Sequence, residues 1–180
     1  MDVGSHLDAL ARATGHGWAF LAAYGATWLL CAWVWTRANP CTAALATLFQ
    51  GMVALPAALV LTAAGPDRPD HPVLDDLSVV LATGQLLGLP IVVCLVLSRR
   101  YELVPLAMAL LLVVHFAPYS WLYRTPLYFV LGTAVALTSV TLMARAERAD
   151  GPRAQAGAAA VCAGTGVLMA AGAVLALTLA

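Results

Sequence analysis

Most of the reactive side chains of this sequence are concentrated in one ten-residue stretch, His115-Phe-Ala-Pro-Tyr-Ser-Trp-Leu-Tyr-Arg124, at the end of an apolar run. If that run is helical, His115, Tyr119 and Tyr123 follow one another at intervals of four residues and share one face. The stretch is compatible with an aromatic belt at a membrane boundary, from which Arg124 extends toward water. It equally predicts one wall of a functional pocket, because aromatic rings stabilise a cation.

A second candidate for chemistry is the acid pair Asp75-Asp76, at the predicted start of a helix. A carboxylate there interacts favourably with the positive helix end, so N-capping explains at least one of the two. Two adjacent carboxylates at a lipid boundary can instead keep one acid protonated and ready to donate its proton. His115 lies well inside an apolar run and is either a hydrogen-bonded structural group or part of a site. Asp75, Asp76 and His115 are therefore the candidate catalytic residues.

Two glutamines occur near the middle of long apolar segments. Gln50 is followed by Leu55-Pro56, and Gln85 is followed by Leu89-Pro90. A proline has no N–H to donate and interrupts a helix. Interrupted helices often form the binding sites of membrane transporters, so this loose repetition predicts a polar site near mid-membrane.

The composition of the whole chain indicates a membrane protein. Its 180 residues are 62% hydrophobic and 10% charged, with a mean hydropathy of +0.88. A soluble domain carries roughly 25% charged residues. Nine arginines balance nine acids, which leaves no concentrated basic face for nucleic acid. The four cysteines have neither CxxC nor metal-ligand spacing, so we expect neither a metal nor a cofactor.

Six apolar segments of membrane-spanning length follow one another along the chain, at about 17–35, 42–64, 77–97, 103–121, 127–143 and 156–179. About 20 residues are needed to cross a ~30 Å hydrocarbon core. Lipid offers no partner for bare backbone groups, so these segments must be helical. The connections are short. We therefore predict that residues 1–180 form a single all-α membrane bundle of about six helices.

The arginines orient this bundle. Three belong to the side of both termini, namely Arg12, Arg68 and Arg124. Six belong to the other side, namely Arg37, Arg99, Arg100, Arg145, Arg148 and Arg153. Cytoplasmic loops carry the excess of positive charge, so both termini are predicted to be extracytoplasmic in a multi-pass protein of the plasma membrane.

Two helix faces add further candidates. Tyr24 and Trp28 share a stripe of the first segment, which serves either helix packing or a ligand wall. Ala156, Ala160 and Gly164 repeat a small residue every four positions in the last segment. Such a face lets two helix backbones approach closely, and here it could support a homo-oligomer.

The stretch His115–Arg124 and the glutamine-to-proline segments at Gln50 and Gln85 resemble a family of small bacterial polytopic membrane proteins of unassigned function, over about residues 40–135. This resemblance implies no established activity. In size and helix content the chain is also similar to the small integral membrane terpene cyclases of actinobacteria. That likeness implies a polyprenyl or terpenoid substrate, and because it rests on no motif it assigns no catalytic residue.

Three classes of function follow. As an enzyme, the leading hypothesis, the protein would use Asp75 or Asp76 to protonate a lipophilic polyprenyl substrate from the bilayer and start its cyclisation. As a small transporter or channel-like protein, it would bind a solute at Gln50 and Gln85. As a membrane assembly or immunity protein, it would need only helix faces. The candidate substrate-binding residues are the aromatic and polar ones on these segments: Tyr24, Trp28, Gln50, Gln85, Tyr119, Trp121, Tyr123 and Arg124.

Overall fold

The computed structural model describes residues 3–66, 69, 72–147 and 152–179, and almost all of them are helical. Within these ranges there is no β-strand, so the predicted all-α fold is confirmed. The nine α-helices are α1 (Val3–Ala13), α2 (Trp18–Arg37), α3 (Pro40–Phe49), α4 (Gly51–Ala63), α5 (Pro72–Gly84), α6 (Leu89–Leu97), α7 (Val104–Leu122), α8 (Leu127–Glu147) and α9 (Pro152–Leu179).

Six helical stretches of the described chain are long and apolar enough to cross a membrane, which confirms the polytopic bundle. In order, the first to sixth spans are Gly15–Arg37, Pro40–Ala63, Asp76–Leu97, Tyr101–Leu122, Leu127–Ala146 and Arg153–Leu179. Large apolar side chains such as Leu87 and Val114 are exposed on the outside, as contact with lipid requires. The third span is peripheral: 6% of its most apolar window is buried, against 33–44% in the other spans.

The first and sixth spans pack through glycines. A β-carbon at Gly25 of α2 would lie 3.0 Å from the amide nitrogen of Ala170 and 3.2 Å from the carbonyl oxygen of Gly166. A β-carbon at Gly166 of α9 would lie 2.9 Å from the amide nitrogen of Leu29. Glycine at both positions therefore allows the two backbones to touch, which is how helices associate when lipid removes the hydrophobic driving force.

The small-residue stripe of the last span takes part in packing within the chain. A β-carbon at Gly164 would lie 3.0 Å from Thr138 Cγ2 and 3.3 Å from Leu142 Cδ1, both on α8. Ala160 is half-buried and Ala156 is exposed. A contact between copies of the chain through this stripe stays a prediction.

The end of the bundle that carries both termini is fastened by polar contacts. The ring nitrogens of His16 lie 3.3 Å from the Tyr123 carbonyl oxygen and 3.2 Å from the Leu179 carbonyl oxygen. These contacts join the beginning of the first span to the ends of the fourth and sixth. Arg124 Nη1 lies 3.4 Å from Asp8 Oδ2 and so holds α1 on the same end.

The opposite end carries most of the described arginines. Gln155 Nε2 donates there to the carbonyl oxygens of Trp35 (2.8 Å) and Ala38 (3.0 Å), which fixes the start of α9 to the end of α2. The arginines at this end are Arg37, Arg99, Arg100, Arg145 and Arg153, while Arg12 and Arg124 belong to the other end. Arg68 and Arg148 lie outside the described residues.

The second and third spans are interrupted at their glutamines. Gln50 separates α3 from α4, and the 3₁₀ turn Gln85–Gly88 separates α5 from α6. The turn has a local cause, because Pro90 cannot donate to the Leu86 carbonyl. Leu89 donates to that carbonyl instead and so closes a tighter turn.

The interruption of the second span does not coincide with its proline, since Pro56 lies inside α4. It lies six residues earlier, where the Cys31 thiol donates to the Ala46 carbonyl oxygen (3.7 Å). A neighbouring helix thus supplies a partner for a carbonyl of the last turn of α3. In the fourth span, α7 continues through Pro118, so the face that carries His115 is not divided.

Replacing Gly166 by Ala should destabilise the protein by about 1–3 kcal/mol, because the new methyl group overpacks against the α2 main chain. The midpoint of thermal unfolding of the purified protein in detergent measures this. The matched control is Gly84→Ala, where a β-carbon meets no atom within 4 Å and the midpoint should be unchanged or slightly higher. Equal midpoints for both variants would contradict the glycine contact.

Candidate functional site

The Tyr24 hydroxyl lies between the two interrupted spans. Gly51 is the first residue of α4, and a β-carbon there would lie 3.7 Å from that hydroxyl. On its other side, the Tyr24 hydroxyl lies near enough to the Gln85 side chain to interact with it electrostatically. One phenol of α2 is therefore close to both interruptions, and it is half-buried.

Gln50, which precedes Gly51, carries an unpaired acceptor. It lies on the buried stripe of the second span, with Thr47 before it and Ala54 after it, so its side chain points into the bundle. Gln50 is 6% exposed, and its Oε1 has no hydrogen-bond partner among the described residues. An unpaired buried carbonyl oxygen costs about 1–3 kcal/mol. In native proteins such a group calls for a specific partner.

Helix α7 forms another side of the same region. Leu111 packs so tightly on Gly88 that a β-carbon there would collide with the leucine side chain. His115 lies one turn further along that face of α7, and Gln85 lies one turn along the antiparallel third span in the same direction. His115 and Gln85 are therefore at a similar depth. The His115 ring is half-buried, with its centroid 4.8 Å from that of Tyr119.

Three phenol rings close the end of this region that faces the termini. The centroids of Tyr119, Tyr123 and Tyr128 are 5.5–5.9 Å apart, so each ring contacts the other two. The Tyr128 hydroxyl donates to the His16 carbonyl oxygen at 2.7 Å. Gly17, with φ at +79°, lies so close to Tyr123 and Tyr128 that a β-carbon would collide with them. The three rings pack against one another, and the backbone of His16 and Gly17 packs against the rings.

We refer to Tyr24, Gln50, Gln85, His115 and Tyr119 as the interrupted-span site. All five were candidates from the sequence, and they come from four different spans. Tyr24 and Tyr119 are close enough to interact electrostatically, which connects the glutamines to the phenol rings. The site offers hydrogen-bond donors and acceptors of neutral side chains. Within the described residues, no group of three His, Cys, Asp or Glu side chains could hold a metal ion.

The remaining aromatic candidates lie elsewhere. Trp28 is 1% exposed and belongs to the packed core one turn from Tyr24. Trp121 is 52% exposed on the outside of the bundle, on a different face of α7 from His115. Arg124 is also exposed, and its partner is Asp8.

The acid pair lies at the beginning of the third span. Asp76 is exposed, and the side chain of Asp75 lies outside the described part of the chain. Arg124, predicted to extend toward water, is exposed and lies beside Asp8 of the N-terminal helix.

Sequence reasoning missed two residues that close the site, Tyr128 and His16. Tyr128 is the second residue of α8 and lies four positions after Arg124, the last residue of the predicted aromatic stretch. Tyrosines on both sides of so short a connection are a signal that could have identified it. His16 stands between two glycines, a pattern typical of a backbone turn with positive φ, and its own φ is +50°.

A sequence family described as a family of unknown function, DUF7010, matches residues 7–171. That range includes every residue of the interrupted-span site. Neither the curated proteins nor the solved structures contain a match to this chain. The family match brings no link to terpene cyclases.

Replacing Tyr128 by Phe removes the hydrogen bond to the half-buried His16 carbonyl and should lower the free energy of unfolding by about 0.5–1.5 kcal/mol, because the carbonyl loses its donor. Thermal unfolding in detergent measures the loss. Tyr119→Phe is the comparison, since it also removes a phenol oxygen but leaves the ring contacts of Tyr119 intact. A larger loss for Tyr119→Phe than for Tyr128→Phe would argue against this closure of the site.

Proposed function

This chain belongs to DUF7010, a family of unknown function, and we propose that it is a small membrane carrier that binds its solute at the interrupted-span site. The observation behind this proposal is that the Tyr24 hydroxyl lies close to both interruptions, beside Gly51 in one and near Gln85 in the other. Carriers commonly place their binding sites where spans are interrupted, because the ends of half-helices present main-chain groups to the solute.

The end of α3 supplies such main-chain groups. The carbonyls from Ala46 to Phe49 belong to its last turn, which precedes Gln50, a residue with helical dihedral angles (φ −54°, ψ −33°). The Cys31 thiol donates to the first of them. The later carbonyls lie directly before Gln50, next to the unpaired Oε1 of its side chain. Main-chain and side-chain acceptors thus concentrate at one depth of the bundle.

The geometry supports the enzyme hypothesis less well. Proton-initiated cyclisation needs an acid beside the aromatic rings, and Asp76 is exposed at the beginning of its span. It also needs space between the rings, whereas Tyr119, Tyr123 and Tyr128 contact one another. The cyclase therefore stays a prediction. Cyclised products formed from a prenylated substrate by membranes that contain the protein would restore it as the leading function.

The arginine distribution supports an orientation in the plasma membrane. The described arginines divide five to two between the ends of the bundle, and the end with five would face the cytoplasm. In this orientation α1 and the phenol rings close the site on the external side. The polar contacts of His16 and Arg124 would lie at the external boundary.

Tyr24→Phe and Gln85→Leu should each slow solute movement by about tenfold, because each removes one hydrogen bond of about 1–1.5 kcal/mol. The measurement is the light scattering of proteoliposomes after an osmotic step, with a panel of small neutral and charged solutes. At least one solute should enter faster than into protein-free liposomes. Trp121→Leu is the control and should leave the rates unchanged, since its side chain is exposed outside the site. If the protein accelerates none of the solutes, the carrier function is wrong.

The orientation is tested by labelling single cysteines in a variant whose four native cysteines are replaced by alanine. In intact cells, a membrane-impermeant maleimide should label a cysteine introduced at Arg124. It should label one introduced at Arg100 or Arg145 only after permeabilisation. The reverse labelling pattern would show that the protein has the opposite orientation in the membrane.

A further inference from the structure

We infer that the solute is an uncharged molecule with an N–H or O–H donor, and that Gln50 Oε1 accepts its hydrogen bond. This inference rests on the proposed carrier function and names the class of substrate for that same site. It combines three observations: the position of the charged residues, the unpaired acceptor, and the properties of the neighbouring polar groups.

Charged side chains in the described chain lie at the ends of the spans. Asp76 begins the third span, Arg37 ends the first, and Glu102 lies at the start of the fourth. At the depth of the site the second and third spans present glutamines. An ion without a partner charge is strongly unfavourable in such a low-dielectric environment. A solute that stays at this depth is therefore uncharged.

The unpaired acceptor determines what the solute must carry. The amide oxygen of Gln50 can only accept hydrogen bonds. It is buried on the inward stripe of its span, and none of the described residues donates to it. A ligand with an N–H or O–H group removes the penalty of this unpaired oxygen when it binds. A ligand without a donor leaves the penalty in place.

The neighbouring polar groups can bind a solute through either a donor or an acceptor. The Tyr24 hydroxyl and the Gln85 amide can each donate and accept. They lie near each other, so a solute beside them can present either kind of group. Primary amides and small polyols meet all these requirements. Of the three polar groups, Gln50 is the one whose buried acceptor has no partner among the described residues, and this acceptor discriminates by the presence of a donor.

The test uses the protein in proteoliposomes and three small acetyl compounds. Acetamide is neutral with an N–H donor, N,N-dimethylacetamide is neutral without one, and sodium acetate is charged without one. For the wild-type protein, the rate above that of protein-free liposomes should be highest for acetamide. Gln50→Met, which keeps the length of the side chain but loses the acceptor, should lower the acetamide rate about tenfold. It should leave the small N,N-dimethylacetamide rate unchanged.

Met52→Leu is the matched control in the same span, because its side chain is 73% exposed on the outer surface. Size-exclusion elution in detergent establishes that each variant is folded. If Gln50→Met is not folded, Gln50→Glu at a pH that keeps the new acid protonated replaces it and should retain acetamide movement. The ratio of acetamide to N,N-dimethylacetamide rates in the wild-type protein then carries the test of donor recognition.

The outcomes separate the two proposals. Faster movement of acetate than of acetamide would overturn the substrate class but leave the carrier function in place. An acetamide rate that falls in Tyr24→Phe but not in Gln50→Met would show that Gln50 is paired by water and does not recognise the solute. No movement of any compound, across this series and the wider panel, would remove the carrier function itself.

Discussion

Inside a bilayer every main-chain N–H and C=O group needs a partner from the protein, and this requirement governs where the chain can depart from a helix. Four of the six spans contain one long α-helix each. In the other two, the protein provides replacements at the interruption. The Cys31 thiol donates to Ala46 in the second span, and Leu89 donates to Leu86 in the third. Tyr24 lies close to both interruptions.

Two kinds of packing divide the bundle. The first and sixth spans are in backbone contact at Gly25 and Gly166, and their ends are fastened by His16 on one side and Gln155 on the other. These contacts join the two spans into a frame, to which Tyr24 belongs. The third span is attached to the frame more loosely. Gln50 lies in the second span, which follows the first span of this frame in the chain. The stability lost through its unpaired oxygen is regained when a ligand binds to that oxygen.

Composition and hydropathy were sufficient to predict the fold class, because lipid admits few alternatives to a helix for such apolar segments. The position of the second interruption was not predictable from local rules. Pro56 is the obvious breaker, yet it is accommodated inside α4, and the break depends on a partner from another helix. Residue type was likewise insufficient to predict which tryptophans are buried. Trp28 is buried and Trp121 exposed, because the helix face decides burial and neighbouring helices decide the face.

The candidate site was predicted in part for the same reason. The spacing of His115 and Tyr119 on one helix predicted their ring contact, because both lie four residues apart on α7. The contact of Tyr24 with Gln85 joins two spans that are far apart in sequence, and no periodicity encodes it. The pairing of Arg124 with Asp8 depends likewise on where α1 lies.

The third span has the least burial in the protein and also the highest mean hydropathy of the six, 2.3 against 1.4–2.1. Lipid, more than protein, therefore holds this helix in place. A helix held in this way responds to the thickness of the bilayer by tilting, at a cost of a fraction of a kcal/mol per Å of mismatch. Tilting would move Gln85 relative to Tyr24, which stays with the glycine-packed frame. A change in the width of the surrounding membrane would thus change the distance between two walls of the site, and the lipid composition would act on its geometry.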